Sequence, residues 1–381
     1  MSAEEPPLRE PDLPRTAKVR PQALRTGWTT GTCAAAAAKA AATALLTGAV
    51  QTDVEIALPS GRRVGFPVER CDVEPGRRAE AVVVKDAGDD PDVTHGAHLT
   101  ATLRWRDSAG LELEGGTGVG TVTKPGLGLA LGGPAINDTP RRMIEYSVGE
   151  VIDLLERGVT AVISVPQGEK MARKTTNARL GILGGISILG TTGVVRPFST
   201  ASWRASVMQA VSVLAAQGGT TLVLCTGART EHAARALRPD LPEVAFVEVG
   251  DFTGAALRVA VDKGLTGVVF VGMAGKLTKL AAGVLMTHYT RSRIDTDLLA
   301  GLSREAGLLA AAVEEVAGAN SARHAYEIWQ REGLLATAGE LLCGRVADVL
   351  ARFTDHRLRV DVSLVDFTGH DLIASSRRWA A

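Results

Sequence analysis

The spacing of apolar residues changes character along the chain. Residues 34 to 46 are nearly all alanine and end in Leu45 and Leu46, which predicts one helix of strong helix formers with Gly48 as its stop. Thr29, Thr30 and Thr32 stand ahead of it as candidate N-caps. From about 53 to 115 the period falls to two. In HLTATLRW, Leu99, Ala101, Leu103 and Trp105 alternate with polar partners, as in a half-buried strand; DVEIALP, RRVGFPVE, AEAVVVKD and LELEGG read as further strands between turn residues. RRMIEYSVGEVIDLLERG (141–158) predicts a helix with Thr139 as cap and Pro140 in its first turn, and AVISVPQ a short buried strand. Near residue 200 the texture becomes strand–helix alternation: TTLVLCT then TEHAARAL, AFVEVGD then TGAALRVAVDKG, GVVFVGM then KLTKLAAGVLM. Such continuous apolar strands interleaved with helices imply a parallel sheet covered by helices. Residues 296–352 read as helices, and RLRVDVSLVDFTGHDLIASS as a closing hairpin.

These elements predict a chain of class α/β plus α+β. Residues 1–24 carry five prolines among charges and read as a disordered tail. Residues 25–200 read as a mixed α+β domain with a coiled β-sheet and Gly-rich loops. Residues 201–295 read as a three-layer α/β/α domain with a parallel, Rossmann-like sheet, on which the helices and hairpin of 296–381 pack.

Composition narrows the function classes. Lys plus Arg equals Asp plus Glu at 42 each, so bulk charge points to neither nucleic acid nor a membrane surface, and any anionic ligand must be met by local cationic clusters. Aromatics at 4% argue against base-stacking platforms. Cys33, Cys71, Cys225 and Cys343 form no CxxC pair, which fits a reducing compartment and offers no metal framework. No apolar run of about 18 residues is present, so no transmembrane helix is expected and the cytoplasm is the default. Homo-oligomerisation is left open.

The stretch KDAGDDPDVTHG (85–96) crowds Asp86, Asp89, Asp90, Asp92 and His95 between two strands. Read as an EF-hand from Asp86 it fails, because Ala97 holds the twelfth position. Turn building accounts for about two of the aspartates, and crowded like charges raise one another's pKa, a cost that function explains. TGWTTGT before the alanine helix presents small hydroxylated residues and N–H groups to an anion, or simply caps the helix. Cys33 reads as a packing residue. GTGVGTVTKPGLG has Gly118 and Gly120 but Thr123 where a GxGxxG fingerprint needs glycine; Lys124 could meet an anion. GEKMARKTTNARLG gathers Lys170, Arg173, Lys174 and Arg179 after a buried strand, suited to a polycarboxylate or to a solvated helix face. In CTGARTE a glycine turn follows the first strand of the α/β segment, and Glu248 and Asp251 lie 22 to 25 residues beyond Thr226, where an acidic side chain holds ribose hydroxyls in Rossmann-like sites. VGMAGKLTK is no P-loop, since Phe270 takes the place of its first glycine; Lys276 and Lys279 remain candidates for carboxylate contacts.

In one order, RTGWTTGTCAAAAAKAA, KDAGDDPDVTHGA, GTGVGTVTKPGL, VPQGEKMARKTTNARLGILGGISILGTTGVVRP and VGMAGKLTKLAAG resemble the cobalt-precorrin-5B C1-methyltransferase family of anaerobic cobalamin biosynthesis (CbiD), over about Arg25 to Met286. The resemblance implies S-adenosylmethionine-dependent methylation of C1 of cobalt-precorrin-5B, giving cobalt-precorrin-6A. It also implies an unusual N-terminal α+β domain beside an α/β domain. A sulfonium methyl is already electrophilic, so alignment with the ring carbon, worth about 7–11 kcal/mol, is the enzyme's main task.

On that basis Asp89, Asp90 and His95 are the catalytic candidates, as a wall of the reaction cleft. Thr226, Gly227, Arg229, Glu231, Glu248 and Asp251 are the candidates for the methyl donor. Thr29, Thr30, Thr32, Lys124, Arg142, Lys170, Arg173, Lys174 and Lys276 are the candidates for the cobalt-containing tetrapyrrole, with no protein-bound metal. The inverse placement, with the donor in the N-terminal glycine loops, stays open. So do a non-catalytic corrinoid carrier and a nucleotide-dependent enzyme acting on another polycarboxylate.

Overall fold

The computed structural model describes residues 24–287 and 294–376; all but the last residue of the expected disordered tail, 1–24, lies outside them. The chain forms two compact units divided between Ser199 and Thr200.

The first unit runs β1 (Gly27–Trp28), α1 (Thr30–Thr47), β2 (Asp53–Ala57), β3 (Arg63–Pro67), β4 (Arg70–Glu74), β5 (Arg78–Val84), β6 (His98–Arg106), β7 (Gly110–Gly115), β8 (Gly118–Val119), β9 (Thr121–Val122), α2 (Asp138–Gly149), β10 (Gly158–Ser164), α3 (Gly168–Ala172), β11 (Ile182–Leu183), β12 (Gly185–Ile186) and β13 (Val194–Val195). Its main sheet has the order β4-β5-β6-β10-β7, with β10 antiparallel to β6 and parallel to β7. Helix α1 packs on β5 and β6 and against α2. Nine of its alanines are fully buried, so the helix is enclosed on all sides and small side chains let its neighbours approach closely. Lys39 is its one charge. Its Nζ donates to the Glu55 carbonyl (2.8 Å) and pairs with Glu150 (2.5 Å), which Arg63 also holds at 2.7 Å.

That network coincides with a correction. The helix predicted to run to residue 158 stops at Gly149, because Glu150 is held by Lys39 and Arg63 and the Asp153 carboxylate then accepts the Leu155 N–H at 3.0 Å, shaping a turn. Its N-cap is Asn137 rather than Thr139. Strand β4 was not expected; only Cys71 is buried on it, too little to set a period.

The glycines read as a degenerate ligand loop do a different job. A Cβ on Gly118 would lie 2.0 Å from the Val165 carbonyl oxygen, and one on either Gly168 or Gly185 would lie 2.2 Å from the Gly118 oxygen. Three backbone segments cross here at a spacing only glycine permits. Around the crossing β8 pairs with β12, β9 with β11, and α3 packs on β8 and β12, forming a small glycine-rich lobe.

The second unit runs α4 (Thr200–Ala216), β14 (Thr221–Cys225), α5 (Ala228–Leu237), β15 (Phe246–Glu248), α6 (Thr253–Asp262), β16 (Gly267–Gly272), α7 (Ala274–Ala281), α8 (Thr296–Glu305), α9 (Ala310–Ala317), α10 (Ala322–Arg331), α11 (Leu335–Phe353), β17 (Arg359–Val365) and β18 (Leu372–Ser375). The sheet order is β15-β14-β16-β17-β18, parallel except for β18, which pairs antiparallel with β17. The fold is thus mixed α/β with mixed sheets. Helix α11 packs on β17 and β18, and the fully buried Trp329 of α10 donates its indole N–H to Ser303 of α8 at 2.7 Å.

Candidate functional site

The aspartate loop ties together the two ends of the first unit. Asp86 pairs with the Arg25 guanidinium, and Asp89 accepts the Arg25 backbone N–H at 2.7 Å. Asp90 accepts the Phe198 N–H at 2.9 Å. Asp92 pairs with Lys85 at 2.6 Å and accepts both the N–H and the hydroxyl of Thr94. Lys85 is only 1% exposed, and Asp92 is the carboxylate that pairs with it among the described residues. The Arg25 hydrogen bond holds the Asp86 pKa below the usual carboxylate range. For Asp92, burial pushes upward but the Lys85 charge and the Thr94 donors outweigh it, and the net shift is down. His95 accepts the Ala87 N–H through Nδ1 at 3.1 Å, which places the neutral ring's proton on Nε2. Its basic nitrogen is therefore already in use. Asp89 and Asp90 each keep one carboxylate oxygen outside these backbone bonds.

Thr29, Thr30 and Thr32 are buried and turned inward. Thr29 caps α1 by accepting the Thr32 N–H (3.2 Å), Thr32 donates to the Gly193 carbonyl (2.7 Å), and Thr30 bonds Leu189 in both directions. The Gly31 N–H is also taken, by the Leu189 carbonyl. Thr29 thus caps the helix, while the hydroxyls of Thr30 and Thr32 tie its first turn to the segment around Leu189 and Gly193. Cys33 behind them is buried, and burial pushes its thiol up to about 12.

The lysines and Arg173 among the cationic candidates of this unit lie on the glycine-rich lobe, and Arg142 lies on α2. The Lys124 stem lies over Gly181, Lys170 sits on α3 with Lys174 just after it, and Arg142 is one turn beyond Asp138 on α2. Lys124, Arg142, Lys170 and Lys174 have no carboxylate partner among the described residues, while Arg173 pairs with Glu169 at 3.3 Å. A cavity of about 190 Å³ in the same unit is lined by Leu127, Leu129, Asn137, Asp138, Thr139 and Gly190 among others. Sequence reasoning missed these lining residues. The alternation of leucine with small residues in GLGLALGG was the available signal.

In the second unit the donor candidates converge in part at the carboxyl ends of the strands. Gly227 follows β14, and the space a side chain there would fill meets only the Glu248 carboxylate, at 3.8 Å. Thr230 accepts the N–H groups of Thr226 (2.9 Å) and Gly227 (3.1 Å). Two candidates are tied elsewhere: Arg229 donates to the Phe367 carbonyl at 2.6 Å, and Glu231 pairs with Arg235 of its own helix at 3.0 Å. Lys276, a candidate for the tetrapyrrole, lies in this unit and pairs with Asp251 at 3.1 Å. Another cavity, about 200 Å³ and lined by Thr221, Arg238, Gly267, Arg359 and Asp361, sits at the amino ends of β14, β16 and β17, the opposite edge from that where parallel sheets bind ligands. Among the described residues no group of three or more His, Cys, Asp or Glu could hold a metal ion, and no helix is long and apolar enough to cross a membrane.

The family model described as CbiD matches residues 17–197, and that described as CbiD, C-terminal domain, matches 286–376. A cobalt-precorrin-5B C(1)-methyltransferase from Salinispora arenicola (strain CNS-205) is 71% identical over 375 residues, 98% of both chains. A protein of the same name from Salinispora tropica (strain ATCC BAA-916 / DSM 44818 / JCM 13857 / NBRC 105044 / CNB-440) is 69% identical over 380 residues, 100% of both. A 1.9 Å crystal structure of the cobalamin biosynthesis protein (cbiD) from Archaeoglobus fulgidus is 30% identical, with a TM-score of 0.37 over 70% of this chain and 83% of that one. With both family domains matched in order and identity sustained from end to end, this chain belongs to the CbiD family.

Proposed function

We propose that the protein methylates C1 of cobalt-precorrin-5B in cobalamin biosynthesis. The observation that carries this is the 71% identity over 98% of both chains to a protein of that name. The finer reading follows the chemistry of the residues. The methyl donor is S-adenosylmethionine, which supplies an electrophilic methyl on a sulfonium, and cobalt-precorrin-6A is the product.

The second unit reads as Rossmann-like. Its strand order places the turning point of the sheet between β14 and β16, and open α/β sheets bind ligands outside the carboxyl ends of such strands. Thr226, Gly227 and Glu248 fit the donor's sugar there: a glycine that leaves room, and a carboxylate that accepts hydroxyl protons. Lys124, Arg142, Lys170 and Lys174 fit the acetate and propionate arms of the tetrapyrrole, since cations with no carboxylate partner among the described residues can meet those of a ligand. Leu127 and Leu129 offer an apolar wall for the ring. Of the aspartates, Asp89 and Asp90 retain an oxygen able to accept a proton from the methylated ring or to balance its charge. His95 serves this role less well, its basic nitrogen being engaged by Ala87.

Anaerobic incubation with cobalt-precorrin-5B and S-adenosylmethionine tests the reading. Stoichiometric formation of S-adenosylhomocysteine is expected; substrate binding without consumption of the donor would make the protein a carrier.

A further inference from the structure

Lys276 crosses the end of a strand to reach its partners. It lies on α7, directly after β16, yet its Nζ donates to the Gly250 carbonyl (2.7 Å) and pairs with Asp251 (3.1 Å), both in the loop after β15. In the sheet β14 lies between those two strands, so this contact links the loop after β15 to the start of α7 across the carboxyl end of β14. Thr287 donates to the same oxygen of Asp251, Oδ1, at 2.9 Å. The side chains of Lys276 and Asp251 are 30% and 24% exposed, so solvent and ligand can reach both. The Trp203 indole lies against Gly250 and fixes the loop that presents the carbonyl.

We propose that Asp251 and Lys276 are the receptor for the amino-acid end of the methyl donor, with Asp251 taking its α-ammonium and Lys276 its α-carboxylate. This rests on S-adenosylmethionine being the donor. An α-amino acid carries one charge of each sign on neighbouring atoms, the complement of a side-chain pair that otherwise satisfies itself. A partly exposed ion pair contributes little to stability, so a ligand that replaces both contacts opens it at small cost. The assignment moves Lys276 from the tetrapyrrole to the donor, and Asp251 from ribose hydroxyls to an ammonium. It leaves Gly227 and Glu248 for the adenosyl end.

Calorimetric titration of the full chain with two ligands tests this: S-adenosylhomocysteine, which has the zwitterion, and 5′-methylthioadenosine, which lacks it. Asp251→Asn and Lys276→Met are each expected to weaken S-adenosylhomocysteine about tenfold or more while leaving 5′-methylthioadenosine within about twofold, which also shows that the variants are folded. Unchanged binding of S-adenosylhomocysteine, or an equal loss for both ligands, would overturn the assignment and leave the methyltransferase reading intact. If the parent protein bound neither ligand, the donor reading would fall, and this assignment with it.

Discussion

Asp90 accepts the backbone N–H of Phe198, 108 residues downstream, while its near neighbour Asp89 accepts that of Arg25, 64 residues upstream. The aspartate loop therefore holds the first and last segments of its unit against each other. Part of the reason four carboxylates crowd there is structural, since each has its own donor. The proposed proton-accepting role concerns the oxygens left over.

Asparagine separates the two roles, because its carbonyl oxygen still accepts a backbone N–H but its amide takes up no proton. Asp90→Asn is expected to keep stability within about 0.5 kcal/mol and to lower kcat by about 10²-fold, whereas Asp90→Ala loses both. Denaturation curves measured beside turnover decide it; full activity in the asparagine variant would leave the loop a tie alone.

The Lys85–Asp92 pair is the more severe structural test. Lys85→Met leaves the Asp92 carboxylate, mostly enclosed, without its cation and is expected to cost about 3–5 kcal/mol. Adding Asp92→Asn should return a large part of that loss, which a double-mutant cycle in urea would measure.

Acid should weaken the contact between α1, α2 and the β2–β3 hairpin. The Arg63 hydrogen bond, working against partial burial and aided by Lys39, holds the Glu150 pKa at about 2, below its ordinary 4.5. Folding lowers this pKa, so its contribution is complete above about pH 4.5 and is lost as pH falls toward 2. Glu150→Gln is expected to destabilise the protein by about 1–3 kcal/mol at neutral pH, with the gap to the parent closing in acid. Asp86 and Asp92, also lowered, make the parent itself less stable in the same direction.

Cations that bind carboxylate arms act on substrate affinity before chemistry. Lys170→Gln with Lys174→Gln is expected to raise KM for the tetrapyrrole about tenfold with kcat within about twofold, and added salt should weaken the parent toward the variant. A fall in kcat at unchanged KM would place these lysines elsewhere in the reaction.

Much of the fold was legible because single elements carried strong patterns. The alanine run could only be a close-packed helix, and the alternation in β6 and the apolar runs of β14 and β16 left little choice. The end of α2 was not legible, since Glu150 is a sound helix former whose partners Lys39 and Arg63 lie far away in sequence. The sites were legible only as residue types. Nothing near Lys85 signals its burial, nothing near Asp90 names Phe198, and the hydroxyls of Thr30 and Thr32 are spent on Leu189 and Gly193, far along the chain. Gly118 looked like a piece of a ligand loop because close backbone crossings, such as the one it makes with Gly168 and Gly185, and phosphate cradles ask for the same residue.

The central claim is methyl transfer to one carbon. The protein should be incubated without oxygen with cobalt-precorrin-5B and S-adenosylmethionine carrying a ¹³C-methyl group, and the isolated ring product examined by carbon NMR. One labelled methyl bonded to C1 is the predicted result. A ring product without label, or with label on another carbon, would contradict it.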